Sequence, residues 1–250
     1  MNKVTRLPVI GITTFGQNEL GHYHVAGAYV DAVRSSGGLP VLLPPDEPEE
    51  GAAILEVVDG LIFSGGGDLD PATYNGSLHP AIDMVDSKRD TFELTLARLA
   101  LNTGIPVLGI CRGIGVLSVV SGGSLVPHIP DEFGEVVAHV GESTPTVKHR
   151  VHISHESRLA KVIGSTEVTV VSWHHQAVRS VPPGWRVTAH SSDDVIEALE
   201  HEDHPWAIAV QWHPELSLID PLQQRIFQAL VEAARTRKSV TEQDLVQIRS

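Results

Sequence analysis

Short apolar runs alternate with helix-patterned segments through the first half of this 250-residue chain, and that alternation limits the fold more than any other feature. Residues 9–13, 39–43, 60–64 and 106–110 are brief, largely apolar runs of strand length. Between them, 24–36, 47–58 and 87–101 place apolar residues at helical spacing. Gly37-Gly38 and Gly104 follow two of these as C-cap signals, and Ser87 with Asp90 reads as a capping box. Such alternation builds βαβ units, in which each crossover helix returns over a parallel sheet and both faces become covered. The expected fold class is therefore α/β, a three-layer sandwich around a mostly parallel central sheet. The second half is strand-rich, with candidates at 148–154, 167–172, 185–190, 195–200 and 207–212. A final helix is expected over 221–235, with Pro221 suited to its first turn. No linker divides the chain, so 1–237 is expected to form one domain and 238–250 a polar tail. Residues 131–145 are the longest stretch without a clear pattern and a candidate lid.

Composition narrows the function classes. The formal net charge of -13 argues against a nucleic-acid partner, because phosphate binding needs a basic surface. One cysteine excludes an intramolecular disulfide. Residues 1–8 carry no apolar stretch of signal-peptide length, and no run approaches the roughly 18 apolar residues of a membrane span. A cytoplasmic protein with no membrane partner is the expectation, and a homo-oligomer stays open.

The chemistry concentrates at strand ends, where ligands bind in sheets of this kind. In Gly109-Ile110-Cys111-Arg112-Gly113 a buried strand runs through one polar residue into a helix. This is the pattern of a nucleophile elbow, with small neighbours that let strand and helix approach. A thiol here sits at a helix N-terminus, where negative charge is favoured, and the Arg112 N–H becomes a candidate oxyanion donor. The alternative is a buried structural cysteine. In Gln211-Trp212-His213-Pro214-Glu215 a stiff His-Pro-Glu segment ends another strand. His213 is a candidate base toward Cys111 and Glu215 a candidate orienting carboxylate; a surface His-Pro turn is the alternative. Ser64-Gly65-Gly66-Gly67-Asp68 also ends a strand, and the N–H of Gly66 is a candidate second oxyanion donor. A flexible turn or a phosphate loop competes with that reading, although no Gly-Lys-Ser/Thr follows.

Taken in order, these segments resemble the class I glutamine amidotransferase-like superfamily, and within it the γ-glutamyl-γ-aminobutyrate hydrolase group, peptidase family C26. The resemblance rests on Pro8-Val9-Ile10-Gly11-Ile12-Thr13, Ser64 to Pro71 with Tyr74, Arg89-Asp90-Thr91-Phe92-Glu93, the Cys111 segment followed by Gly122-Gly123-Ser124-Leu125, Ser172-Trp173-His174-His175-Gln176-Ala177-Val178, Ile196-Glu197-Ala198-Leu199-Glu200 and the His213 segment. It implies a flavodoxin-like sheet and a small-molecule γ-glutamyl substrate. It also implies a mechanism. Cys111 attacks a γ-glutamyl carbonyl, His213 moves the proton, N–H groups near Gly66 and Arg112 hold the oxyanion, and water cleaves the thioester. No metal and no organic cofactor are implied. Gly65, His174, His175 and Gln176 are the substrate-side candidates that follow from it. Two positions depart from the family pattern: Gly115 stands where a glutamine is usual, and Ser118 where an asparagine is usual. Both bear on specificity rather than on the triad.

Other residues read as structural. The Arg112 side chain is expected to brace the elbow, and Arg89, Asp90 and Glu93 to form a charge network at a helix start or a solvated face with i,i+4 support. Trp173, Trp185, Trp206 and Trp212 are expected in the core or the pocket wall. A stand-alone γ-glutamyl amide hydrolase is the leading functional expectation. A glutaminase component that feeds ammonia to a separate synthase, and a non-catalytic binding protein on the same fold, are the alternatives.

Overall fold

The computed structural model describes residues 6–45, 50–141 and 146–248, with side chains as far as residue 237. Its first half alternates as the pattern requires: β1 (Val9–Thr13), α1 (Gly27–Ser35), β2 (Leu39–Leu43), α2 (Gly51–Val57), β3 (Gly60–Phe63), α3 (Ser87–Thr103), β4 (Val107–Ile110) and α4 (Arg112–Val120). The second half adds β5 (Ser124–Val126), α5 (Ile129–Phe133), β6 (Val147–Ile153), α6 (Arg158–Ile163), β7 (Glu167–Ser172), β8 (Ala177–Ser180), β9 (Trp185–Ser191), β10 (Ile196–His201), β11 (Ala207–Val210) and α7 (Pro221–Ile248). Nine strands make one sheet in the order β2-β1-β3-β4-β11-β10-β9-β6-β7, and β5 pairs with β8 apart from it. The five strands from β2 to β11 run parallel, and the remainder extend the same sheet antiparallel.

Strand side chains point alternately to the two faces, and the two main cores follow that period. Ile10, Ile62, Leu108 and Ile208 enter one core, while their neighbours Val9, Leu61, Val107 and Ala207 enter the other. The first core is covered by Tyr29 and Val33 of α1, Leu159 and Ile163 of α6, and Phe227 and Leu230 of α7. The second is covered by Phe92 and Leu96 of α3 and by Ile114 and Leu117 of α4. Three layers result, as expected for an α/β fold of this class.

Several boundaries differ from the sequence reading. The first helix starts at Gly27 rather than 24, and residues 47–49 of the second lie outside the described residues. Asp86, not Ser87, caps α3: its carboxylate accepts from the Arg89 N–H at 3.0 Å, which frees Asp90 for a buried ion pair. α7 stays helical to Ile248, through the stretch expected as a tail. Part of the patternless 131–145 segment belongs to α5, and residues 142–145 lie outside the described residues. No helix among the described residues is long and apolar enough to cross a membrane.

Glycines fix how tightly α4 lies on the sheet. A Cβ on Gly109 would sit 2.8 Å from the Gly113 carbonyl oxygen, and one on Gly113 would sit 2.2 Å from the Phe63 carbonyl oxygen. Both obstacles are backbone, so neither can rotate away. Gly113→Ala is expected to cost about 1–3 kcal/mol by overpacking, read as a lower urea midpoint at unchanged slope. A wild-type midpoint would refute the close-approach argument.

Candidate active site

Four parallel strands deliver their carboxyl ends to one crevice. Phe15 follows β1, Gly65 and Gly66 follow β3, Cys111 follows β4, and His213 follows β11; all of them border one cavity of about 330 Å³. The register explains the convergence. Ile110 pairs with Val210 and Gly109 with Phe63, so the residues just beyond each strand emerge side by side. The Cys111 N–H donates to the Val210 carbonyl at 2.9 Å and fixes the crossing point.

Cys111 adopts φ 53 and ψ -108, a left-handed region that non-glycine residues rarely occupy. This is the sharp turn that the elbow pattern predicts. The thiol is buried, and its S–H points at the Trp173 carbonyl oxygen, 3.7 Å away. Gly65 packs beside it: an added Cβ would lie 2.8 Å from His213 Cε1 and 3.0 Å from the Tyr29 hydroxyl. Only a residue without a side chain leaves both groups in place.

His213 and Glu215 meet as the His-Pro-Glu spacing suggests. Nδ1 of His213 lies 2.6 Å from Oε1 of Glu215, and both side chains are buried. Pro214 opens a 3-10 turn, Pro214–Ser217, that carries Glu215 back beneath the ring. The His213 N–H donates to the Val171 carbonyl at 2.8 Å, which ties this turn to β7. Nε2 is buried with no hydrogen-bond partner among the described residues, so the ring has a free face beside the thiol. Burial opposes a charge on the ring, but nearby Cys111 and Glu215 outweigh it and hold His213 well above the ordinary histidine value.

A buried charge network braces the Cys111 turn. Arg112 pairs with both Asp90 and Glu93, and Arg89 pairs with Glu93 at 2.9 Å. Arg89 also donates to the Gly65 carbonyl at 3.0 Å and the Ser64 hydroxyl at 3.0 Å. The network thus joins α3 to the glycine loop and to α4. Burial disfavours charge on Glu93, yet Arg112 and Arg89 hold its carboxyl below the ordinary range. The bracing expected of the Arg112 side chain is what the geometry provides.

The remaining candidates divide. Gly66 and Arg112 present backbone N–H groups with no protein acceptor among the described residues. A Cβ on Gly66 would lie 2.2 Å from Arg89 Nη1, so the loop needs glycine there. Gly65 lines the cavity, but its N–H donates to the Tyr29 hydroxyl at 2.9 Å and is not free for a ligand. His175 and Gln176 both border the cavity. Nε2 of His175 sits 2.9 Å from the Asp68 carboxylate, which raises its pKa against the effect of burial. The Gln176 amide nitrogen is buried without an acceptor. His174 borders the cavity but turns its ring away, with Nδ1 2.8 Å from the Gln176 carbonyl and Nε2 toward Glu197. Neither nitrogen faces a ligand, so the expected substrate contact does not fit the His174 ring. Leu69 and Leu125 close the space beside Gly115, with an added Cβ meeting them at 3.1 and 3.3 Å. The wall where the family usually has a glutamine is therefore apolar here.

Sequence reasoning missed Tyr29 and the Trp173 carbonyl. Tyr29 is buried on α1 with core spacing, and nothing local marks its hydroxyl as the acceptor for Gly65. Burial and the neighbouring Glu215 push that hydroxyl well above its ordinary pKa, so it stays neutral.

Comparison with known proteins accords with this geometry. The family model described as Peptidase C26 matches residues 8–215, and the chain belongs to that family. A provisionally named glutamine amidotransferase of Mycobacterium tuberculosis is 42% identical over 235 residues, covering 91% of this chain and 75% of the relative. The γ-glutamyl-γ-aminobutyrate hydrolase of Escherichia coli K12 is 30% identical over 250 residues, covering 94% of this chain and 96% of that one. The crystal structure of a provisionally named GMP synthase component from Thermoplasma acidophilum superposes with TM-score 0.68 at 18% identity, over 95% of this chain and 98% of that chain. The chain is a glutamine amidotransferase-like hydrolase in fold and family.

The raised pKa of His213 has a measurable consequence. Its folded value lies above the unfolded value near about 6.5, so its contribution to stability is full below that pH and is lost as pH rises through the folded value. NMR titration of the His213 ring is expected to give a midpoint above the ordinary histidine value, moved down in Glu215→Gln. An unmoved midpoint would contradict the pairing.

Proposed function

We propose that this peptidase C26 member hydrolyses a γ-glutamyl amide through a glutamyl thioester on Cys111. The observation that carries the reading is the buried Glu215–His213 pair, whose free Nε2 sits beside a thiol on a strained turn at the cavity floor. The Cys111 proton passes to His213 Nε2, whose raised proton affinity favours the transfer, and the resulting thiolate attacks the γ-carbonyl carbon. Glu215 fixes the ring through Nδ1 and favours the imidazolium that forms. The Gly66 and Arg112 N–H groups donate to the tetrahedral oxyanion, a term worth about 2.7–4 kcal/mol per donor in comparable hydrolases. Collapse of the intermediate breaks the C–N bond, and His213 returns the proton to the leaving amine. A water then adds to the thioester with His213 as base, and glutamate and the free thiol result.

The cavity suggests how the two substrate halves divide. His175, whose affinity for a proton is raised by Asp68, is placed to meet the α-carboxylate, and the Gln176 amide offers an unused donor. Phe15, Met84, Val140, Trp173 and Leu216 form an apolar wall that suits a hydrophobic leaving amine. The name of the E. coli relative supports a γ-glutamyl substrate. A second reading, a glutaminase that passes ammonia to a synthase, is favoured by the amidotransferase name of the M. tuberculosis relative.

Amine release from γ-glutamyl anilides, γ-glutamyl-aminobutyrate and glutamine separates these readings. The proposal expects the anilide to be preferred. Cys111→Ala is expected to lower kcat by more than about 1000-fold. His175→Ala is expected to raise KM roughly tenfold with kcat little changed. Activity retained by Cys111→Ala would overturn the mechanism, and turnover of glutamine alone, stimulated by a partner, would favour the second reading.

A further inference from the structure

Behind the Trp173–Gln176 segment lies a second constellation that the hydrolytic chemistry does not use. His139 follows α5, His149 sits on β6, His174 follows β7 and Glu197 sits on β10. All four are buried, and one potential ligand atom from each lies within 4.8 Å of the others. His139 Nδ1, His149 Nε2 and His174 Nε2 approach Glu197 Oε1 at 3.3, 3.5 and 3.8 Å. None of these nitrogens, and neither oxygen of Glu197, makes a hydrogen bond among the described residues. Buried polar atoms are almost always satisfied, so unsatisfied atoms from four residues gathered within 4.8 Å need a common partner.

We infer that His139, His149, His174 and Glu197 hold one divalent ion of the zinc class in a closed, structural site. Zinc bonds of about 2.0–2.1 Å in a tetrahedron set donor atoms roughly 3.3 Å apart, close to the 3.3–3.8 Å between Glu197 Oε1 and the three nitrogens. Hydrogen-bond geometry, by contrast, is absent from every pair. The outward nitrogens are held as metal-binding histidines require. His139 Nε2 lies 3.1 Å from the Asp193 carboxylate, His174 Nδ1 2.8 Å from the Gln176 carbonyl, and His149 Nδ1 3.2 Å from the Arg150 carbonyl. Each contact aims the other nitrogen inward. Three imidazoles with a carboxylate suit zinc, cobalt or nickel rather than magnesium or calcium, which prefer oxygen. Four protein ligands fill a tetrahedron and leave no open position, so the ion positions rather than reacts.

What it positions is the wall of the cavity. The His139 carbonyl accepts from the His174 N–H at 3.1 Å and the Ser172 hydroxyl at 2.9 Å. The ion therefore ties the loop after α5, β6 and β10 to the segment that carries the Trp173 carbonyl, His175 and Gln176. The inference uses different residues from the hydrolase reading, and neither depends on the other.

Metal content tests it directly. The full chain is prepared as Cys111→Ser, which removes the thiol as a rival ligand, then equilibrated with Zn²⁺ and dialysed. The inference expects about one equivalent of zinc per chain, lost at least about tenfold in affinity when His149→Ala is added. Cobalt substitution should give the intense visible bands of a tetrahedral site, and chelation should lower Tm. Absence of stoichiometric zinc in Cys111→Ser, or an octahedral cobalt spectrum, would overturn it, and neither readout depends on how His149→Ala folds. Full zinc binding by a folded His149→Ala chain would do the same.

Discussion

A left-handed backbone at one non-glycine residue is the constraint around which this molecule is arranged. Holding Cys111 at φ 53 costs on the order of 1–3 kcal/mol, and such strain persists only where the surroundings fix it. Here they do so from three sides. Gly109 and Gly113 let α4 press onto β3 and β4, the Val210 carbonyl holds the Cys111 N–H, and the buried pairs of Arg112 with Asp90 and Glu93 anchor the first turn of α4. The strain projects one thiol into a crevice that four strand ends already define.

The buried charge network serves that arrangement more than it serves stability. Desolvating two arginines and two carboxylates offsets much of their attraction, so a well-packed apolar substitute could be equally stable. Apolar groups could not, however, donate to the Gly65 carbonyl and Ser64 hydroxyl while also gripping α4. The network keeps the glycine loop and the Cys111 turn in one frame. On the opposite side, β7 returns toward the site and hands its Val171 carbonyl to the His213 N–H. The antiparallel extension of the sheet thus supplies the wall that the parallel half lacks.

Much of this was legible in the sequence because it is written in local patterns. Strand and helix periodicity gave the α/β sandwich, and Gly-x-Cys-x-Gly and His-Pro-Glu each carry their geometry within a few residues. What escaped depends on convergence from afar. Tyr29 looks like any core residue of α1, yet its hydroxyl takes the Gly65 N–H. Arg89 and Glu93 have the spacing of a solvated helix pair but are fully enclosed. His174 sits in the motif that suggested substrate contact, and its neighbours Trp173 and His175 do border the cavity. Continued alternation beyond β7 sends the His174 ring the other way, toward His139, His149 and Glu197. No spacing rule links four residues drawn from a loop and three separate strands or their ends.

Covalent capture tests most directly whether Cys111 is a nucleophile presented to a glutamyl group. Intact-mass and peptide analysis of the folded chain after incubation with 6-diazo-5-oxo-L-norleucine, a glutamine-like electrophile, should find one adduct, on Cys111, that free glutamate suppresses. A chain that stays unmodified while folded, yet whose Cys111 reacts with iodoacetamide once denatured, would contradict it.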